Sequence, residues 1–151
     1  MSPQSQPLAG AVPAAPAANA IEAGAGETIL VVDDDVGVRD LVVGVLVRRK
    51  YRVLAANSAA AALEVWAQHG PTIRLLLTDI VMPGGISGSE LAARLLALRP
   101  DLPVLYMSGY NPNPIDREQV RRQGKSLLQK PFTIDQLVKA VRAHLTATEV
   151  A

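Results

Sequence analysis

The 151-residue sequence contains no cysteine, which excludes disulfide bonds and cysteine-ligated metal sites. Its two histidines, His69 and His144, lie far apart in helical patterns, so a histidine-based metal site is not expected. The 15 basic and 14 acidic side chains leave a net charge of +1, which gives no electrostatic basis for binding nucleic acid. The sequence also lacks an apolar span long enough for a bilayer and lacks a signal-peptide pattern, so we expect a cytoplasmic protein without membrane contact.

The composition divides the chain into a tail and one domain. Residues 1–26 are mainly Ala, Pro, Gly, Ser and Gln, and Glu22 is their only charge. Such a segment buries too little apolar surface to offset the entropy lost on ordering. We predict a disordered tail or linker over residues 1–26, a folded domain over 27–147 and a short C-terminal tail over 148–151.

Five short apolar runs alternate with helical patterns after the tail. The predicted strands are Thr28–Val32, Arg52–Ala56, Leu75–Asp79, Val104–Met107 and Ser126–Gln129. Apolar residues at helical spacing follow the first and last of them: Val38, Leu41, Val42, Val45 and Leu46, then Ile134, Leu137, Val138, Val141 and Leu145. This alternation predicts an α/β protein with a doubly wound parallel sheet and helices on both faces.

Helix-start signals support these boundaries. Ser87–Glu90 and Thr133–Gln136 have the spacing of a capping box, and Asn113 precedes a proline at a predicted first helical position. Leu63 and Trp66 of the second helix are expected to point into the core.

Reactive side chains follow four of the five predicted strands. They are Asp33, Asp34 and Asp35 after the first strand, Asp79 at the end of the third, Ser108 after the fourth and Lys130 after the fifth. Ligands of open α/β sheets bind at the carboxyl ends of the strands. Carboxylates that meet there would repel one another without a cation, and oxygen ligands without His or Cys favour Mg²⁺. A lysine and a hydroxyl nearby suit phosphoryl transfer, in which a carboxylate can be the nucleophile.

Each of these residues also has an ordinary structural interpretation. Asp35 is a good helix N-cap, and Asp79 could simply cap a turn. Lys130 alone would be a solvated lysine, and Ser108 with Gly109 would be a common turn. The joint placement at one edge, rather than any single residue, therefore favours a functional site.

Four motifs in order resemble the receiver domains of two-component response regulators. They are Val31–Asp34, Thr78–Gly84, Tyr106–Tyr110 and Gln129–Phe132, and the resemblance extends over about residues 27–145. It implies a flavodoxin-like (βα)5 fold with strand order 2-1-3-4-5. It further implies a phosphoprotein that accepts a phosphoryl group from a histidine kinase or a histidine phosphotransfer protein.

The resemblance assigns the chemistry of phosphoryl transfer to three side chains. Asp79 is similar to the phosphoacceptor of the family. Ser108 resembles the hydroxyl that moves in to bond the phosphoryl group, and Lys130 the cation that pairs with Asp79 or its phosphate. The peptide bond between Lys130 and Pro131 matches a family position that is usually cis.

The resemblance also implies a Mg²⁺ site. Asp34 and Asp79 would bind the ion directly, and Asp33 would act mainly through metal-bound water. The backbone carbonyl of Val81 would complete the protein ligands.

Phosphorylation is expected to shift the surface formed by the fourth helix, the fifth strand and the fifth helix. The chain ends soon after the fifth helix, so no output domain is expected, and the only catalysis would be its own phosphorylation and dephosphorylation. Two alternatives remain open. One is a Mg²⁺-dependent phosphohydrolase that forms an aspartyl phosphate, although Val81 stands where such an enzyme needs a second acid. The other is a binding module that does not depend on phosphorylation.

Two departures from the family pattern bear on the mechanism and the partner. Leu127 occupies the position of a switch aromatic three residues before the lysine, so Tyr106 or Tyr110 would have to replace it. The loop from Pro83 to Gly88 is one residue longer than in most receivers. This variant is similar to the receivers of hybrid histidine kinases and favours such a partner.

Overall fold

The structure, a computed structural model, describes residues 26–82, 85–109, 114–123 and 125–150. Several sequence predictions lie outside the described residues: the tail up to residue 25, Pro83 and Gly84 of the long loop, Tyr110, and the helix cap Asn113. The proposed domain boundaries stay a prediction.

The described chain forms five strands and five α-helices in strict alternation. They are β1 (Thr28–Val32), α1 (Val36–Arg48), β2 (Arg52–Ala56), α2 (Ala59–His69), β3 (Ile73–Asp79), α3 (Gly88–Leu98), β4 (Val104–Ser108), α4 (Pro114–Gln123), β5 (Ser126–Gln129) and α5 (Ile134–Val150). All strand pairs are parallel, and the order across the sheet is β2-β1-β3-β4-β5. The predicted doubly wound sheet and its strand order are confirmed.

The three central strands are buried on both faces because helices cover each side. β1 and β4 are buried along their whole length, as expected for continuous apolar runs in a parallel sheet. One core cluster joins the sheet to α2 and α3, and the other joins it to α1 and α5. Leu63 and Trp66 pack against the first cluster, as predicted.

Side-chain caps fix where the helices begin. Asp35 accepts hydrogen bonds from the first turn of α1, and Ser58 and Ser87 do the same for α2 and α3. Thr133 and Gln136 bond each other's backbone N–H groups at the start of α5, which is the predicted capping box. These caps set the positions of the helices relative to the strand ends.

Three details differ from the sequence expectations. β3 begins at Ile73 rather than Leu75, because a short 3-10 helix over Gly70–Thr72 ends there. Leu41 is 49% exposed because it lies near the edge of the buried stripe of α1, roughly 90° around the helix from its centre. Ile134 is 50% exposed because it is the first residue of α5, where the helix has only begun.

The carboxyl ends of the strands meet at one edge of the sheet, and the turns that follow them carry the predicted site residues. Asp79 pairs with Met107 across β3 and β4, and Ser108 pairs with Gln129 across β4 and β5. Ser108 is therefore the last paired residue of β4, and Lys130 follows Gln129, the last paired residue of β5. Among the described helices, none has the combination of length and apolar character that a membrane crossing requires.

Candidate functional site

Asp33 is the most deeply buried carboxylate of the strand-end cluster. Its side chain is 0% exposed, and both of its oxygens have protein partners. Oδ1 accepts a hydrogen bond from the backbone N–H of Asp35 at 2.9 Å, and Oδ2 accepts one from Lys130 Nζ at 3.0 Å. Because both oxygens are already engaged, this carboxylate is better placed to orient a bound water than to bind a metal directly.

Asp79 ends β3 and is held by fewer protein groups. Its Oδ2 accepts a hydrogen bond from Lys130 Nζ at 3.2 Å, and its Oδ1 has a long contact of 3.4 Å with the backbone N–H of Val81. Burial raises the pKa of Asp79, and the neighbouring Asp33 adds to this rise, while Lys130 and the Val81 N–H oppose it. The ionised carboxylate is therefore less stable than in water, which is a useful property in a nucleophile.

Three carboxylates converge at this edge of the sheet. Asp33, Asp34 and Asp79 each have an oxygen within 4.8 Å of the others. Asp34 is exposed, so this face of the cluster is open to solvent. The structure thus brings together the side chains that the sequence predicted as metal ligands. Asp35 is instead the N-cap of α1, as its structural interpretation predicted.

Lys130 is the cation of the cluster. Its side chain is 17% exposed and its ammonium contacts both Asp33 and Asp79. Burial alone would lower the pKa of Lys130, but the two carboxylates outweigh burial and raise it. The pKa of Lys130 and the pKa of Asp79 are both raised, although an isolated ion pair would lower the second. Asp79 differs because its burial and the nearby Asp33 outweigh Lys130, which is shared between two anions.

The backbone holds Lys130 and Ser108 together. The N–H of Lys130 donates to the carbonyl of Ser108 at 2.8 Å, and the bond between Lys130 and Pro131 is cis, as predicted. Ser108 is 6% exposed at the end of β4. A Cβ atom on Gly109 would lie 3.6 Å from Lys130 Cδ, an ordinary contact, so Gly109 keeps only a small volume open beside the lysine.

Gly88 is a site residue that the sequence analysis did not single out. A Cβ atom there would lie 1.7 Å from the backbone oxygen of Asp79, and the Gly88 N–H donates to the carbonyl of Ile80 at 2.7 Å. Only glycine allows the start of α3 to rest against the end of β3. The glycine inside the Ser87–Glu90 capping box was the available signal.

Arg39 was also missed. Its Nη1 donates to the backbone carbonyl of Asp33 at 2.8 Å from the end of the first turn of α1. The bond ties α1 to the turn that carries Asp33 and Asp34. A basic residue about one turn after an acidic run is a weak signal, because most such arginines are solvated.

The proposed backbone ligand Val81 follows Asp79 at the edge of the cluster, and its side chain is 50% exposed. Leu127 is also 50% exposed, on the edge strand β5. Its partner across the sheet is Tyr106, which is fully buried. At this register position the aromatic side chain is therefore on β4 and the aliphatic one on β5.

A family model for the response regulator receiver domain matches residues 29–142, which include all of these site residues. The chain belongs to the response regulator receiver domain family. Its function is thus that of a receiver domain of two-component signalling.

Related proteins differ in how much of their length this receiver domain spans. It is 34% identical over 119 residues to the response regulator receiver protein CpdR of Brucella abortus (strain 2308), covering 79% of this chain and 97% of that protein. It is 32% identical over 118 residues to the sensor kinase CckA of the same strain, covering 78% of this chain but only 12% of that protein.

A solved structure shares the fold along the same part of the chain. The receiver domain from the hybrid histidine kinase CckA superposes with a TM-score of 0.65 at 30% identity. The match covers 78% of this chain and 98% of that domain.

Proposed function

We propose that Asp79 is the phosphoacceptor of this receiver domain. The observation that carries the proposal is the convergence of three carboxylates within 4.8 Å, two of which contact Lys130, Asp33 at 3.0 Å and Asp79 at 3.2 Å. An oxygen of Asp79 would attack the phosphorus of a phosphohistidine. The bond between phosphorus and the donor's imidazole nitrogen would break, and the imidazole would keep the electron pair. The product is an acyl phosphate on Asp79.

Mg²⁺ is the ion that the donor set fits best. All three side-chain donors are carboxylate oxygens, and exposed Asp34 leaves space for the water ligands that Mg²⁺ retains. Asp34 and Asp79 would bind it directly, with Asp33 acting through water and the Val81 carbonyl as a further ligand. The ion would supply positive charge to the transferring phosphoryl oxygens.

Lys130 and Ser108 complete the proposed site. The Lys130 ammonium already contacts Asp79 Oδ2, so it can also stabilise the negative charge of phosphoryl oxygens bound to Asp79. The Ser108 hydroxyl would donate a hydrogen bond to one of those oxygens from the neighbouring strand end. Neither group transfers a proton in this scheme, because the attacking carboxylate is ionised and the donor's imidazole, protonated at its other ring nitrogen, leaves as a neutral ring.

The proposed phosphodonor is a histidine kinase or a histidine phosphotransfer protein. The longer loop before Gly88 supports a link to a hybrid kinase. We further propose that phosphorylation shifts the α4-β5-α5 surface between two populated states. Two further expectations stay predictions. One is that the protein catalyses only its own phosphorylation and dephosphorylation, and the other is that it is located in the cytoplasm.

The phosphohydrolase alternative is weaker because of the residue at position 81. A hydrolase of this chemistry needs a second acid beside the nucleophile to protonate the leaving group. Here that position is an exposed valine, Val81. The binding-module alternative gives no reason for three carboxylates to cluster with a lysine that contacts two of them.

The test is the intact mass of the protein after incubation with Mg²⁺ and acetyl phosphate. We expect one phosphoryl group on the wild type and none on Asp79→Ala, with the gain abolished by a chelator. Asp40→Ala is the matched control, since Asp40 is an exposed aspartate on α1 outside the cluster, and it should be phosphorylated like the wild type. A folded wild type that gains no mass would favour the binding module.

A further inference from the structure

Tyr106 links the core of the receiver to α4. It is fully buried on β4 within the core cluster that faces α2 and α3. Its hydroxyl donates a hydrogen bond to the side-chain oxygen of Gln123, the last residue of α4. A buried tyrosine hydroxyl needs such a partner, so the pair positions the end of this helix.

Gln123 uses its other end to reach α3. Its Nε2 donates to the backbone carbonyl of Ser89 at 3.3 Å. One amide therefore accepts from β4 and donates to the first turn of α3. Only a side chain with both an acceptor and a donor at this reach can make the two bonds, which glutamine provides and glutamate does not.

α4 packs beside α3, but none of its side chains whose burial is described is fully buried. Val120 is the one that packs against a core cluster, and Ile115 is 78% exposed. Arg121 and Arg122 are 71% and 76% exposed and pair with Glu118 within the same helix. Such a polar helix gains little from burial, so the bonds of Gln123 are a substantial part of what holds it.

Both anchors of Gln123 belong to segments that carry the site. Tyr106 and Ser108 are two residues apart on β4, and side chains at this spacing share a face of the strand. Ser89 follows Gly88, which rests against the backbone oxygen of Asp79. A displacement of Ser108 or of the Asp79 turn would therefore change the separation that the amide must bridge.

We propose that Gln123 couples the phosphorylation state of Asp79 to the attachment of α4, through its paired bonds to Tyr106 and Ser89. The proposal rests on the proposed phosphoacceptor function and names how that site is read out. The coupling is a free energy shared between two sites, so loosening α4 also changes the balance of the two states at the site. Because Leu127 replaces the switch aromatic on β5, we place the connection between the site and α4 on β4, at Tyr106.

The test is amide hydrogen exchange of α4, measured with and without phosphorylation by acetyl phosphate and Mg²⁺. In the unphosphorylated wild type we expect protected α4 amides, and roughly 25-fold faster exchange in Gln123→Met, because about fivefold is expected for each of the two hydrogen bonds lost. Tyr106→Phe removes only the hydroxyl and therefore one of the two bonds, so about fivefold faster exchange is expected. Gln68→Met is the matched control, because Gln68 is an exposed glutamine on α2.

Phosphorylation of the wild type should speed α4 exchange, and this difference should vanish in Gln123→Met although intact mass shows full phosphorylation. A phosphorylated Gln123→Met protein with the wild-type difference would overturn the coupling and leave the phosphoacceptor assignment intact. A wild type that takes up no phosphoryl group would overturn both. Unphosphorylated Gln123→Met and Tyr106→Phe proteins that exchange like the wild type would overturn the attachment itself.

Discussion

Arg99 at the amino end of the sheet and Lys130 at its carboxyl end are both partly buried cations, but they meet different partners. The Arg99 guanidinium donates to the carbonyls of Gly70, at 3.0 Å, and Ile73, and it lies 5.1 Å from the ring centre of Trp66. Burial lowers the pKa of Arg99, Asp101 opposes this and Arg74 adds to it. Its closest partners are neutral. Lys130 instead balances part of a cluster of three carboxylates.

The partners of the two cations indicate that the amino end of the sheet contributes stability, whereas the carboxyl end forms the candidate site. Neutral carbonyls and an aromatic face satisfy a cation without creating excess charge, so the amino end is built for stability. At the carboxyl end, one ammonium contacts two of three clustered carboxylates, which leaves excess negative charge that disfavours folding in the absence of a metal. The same excess charge is what a metal-assisted phosphoryl-transfer site requires.

The largest effect should come from removing the close contact beneath the carboxyl end. Gly88→Ala places a Cβ atom against the backbone of Asp79, so the start of α3 must move. We expect a loss of about 4 kcal/mol in the free energy of unfolding, beyond ordinary overpacking. Urea denaturation measures it. Gly44→Ala is the matched control: nothing lies within 4 Å of that Cβ position in α1, so it should gain about 1 kcal/mol. Equal effects of the two variants would contradict the contact.

Lys130→Met should show how much the single cation contributes. The variant leaves the buried Asp33 and Asp79 facing each other, and we expect a loss of about 3 kcal/mol without Mg²⁺. Because the metal supplies positive charge to the same carboxylates, millimolar Mg²⁺ should recover part of this loss. Stability that is unchanged by the substitution, or a loss that Mg²⁺ does not reduce, would argue against a charge-dominated site.

Arg99→Ala tests the opposite end. Loss of two charged hydrogen bonds to carbonyls and of the contact with Trp66 should cost about 2 kcal/mol. Phosphorylation by acetyl phosphate should be unchanged, since the residue lies at the other end of the sheet. Arg74→Ala, an exposed arginine at the start of β3, is the control and should change stability little. A phosphorylation defect in folded Arg99→Ala would break the proposed separation of the two ends.

The sequence was informative where function depends on strand ends, and less so elsewhere. In a parallel sheet the carboxyl ends of the strands share an edge, so Asp33, Asp34, Asp79 and Lys130 could be brought together from their positions alone. Apolar runs found all five strands. Apolar spacing found the first and last helices, and capping signals marked the starts of the third and fourth. The spacing could not distinguish Leu41, at the edge of a buried stripe, from the residues at its centre.

Contacts between distant segments could not be predicted. Gly88 is required by the carbonyl of Asp79, and Tyr106 reaches Gln123 across 17 residues of chain. The glycine in the capping box was a signal for the first, but neither contact follows from a local period, because each depends on how α3 and α4 pack after the sheet has formed.

The smallest predicted effect is a gain in stability at the carboxyl end. Burial and Asp33 raise the pKa of Asp79 above its ordinary 3.8, so its contribution to stability is full below that pH and is lost as pH rises through the folded pKa. Without Mg²⁺, Asp79→Asn should therefore be more stable than the wild type at pH 7, by less than any of the losses expected above. The difference should shrink as the pH falls toward the unfolded pKa. Denaturation at several pH values checks this, and a variant less stable than the wild type at pH 7 would contradict it.

The most direct measurement is the position of the phosphoryl group in the phosphorylated protein. Borohydride reduction converts an aspartyl phosphate to homoserine, and peptide mass mapping then locates it. We predict reduction at Asp79 and at no other aspartate. Reduction at Asp33 or Asp34, or a protein that gains phosphoryl mass without a reducible aspartate, would contradict the assignment of Asp79 as the phosphoacceptor.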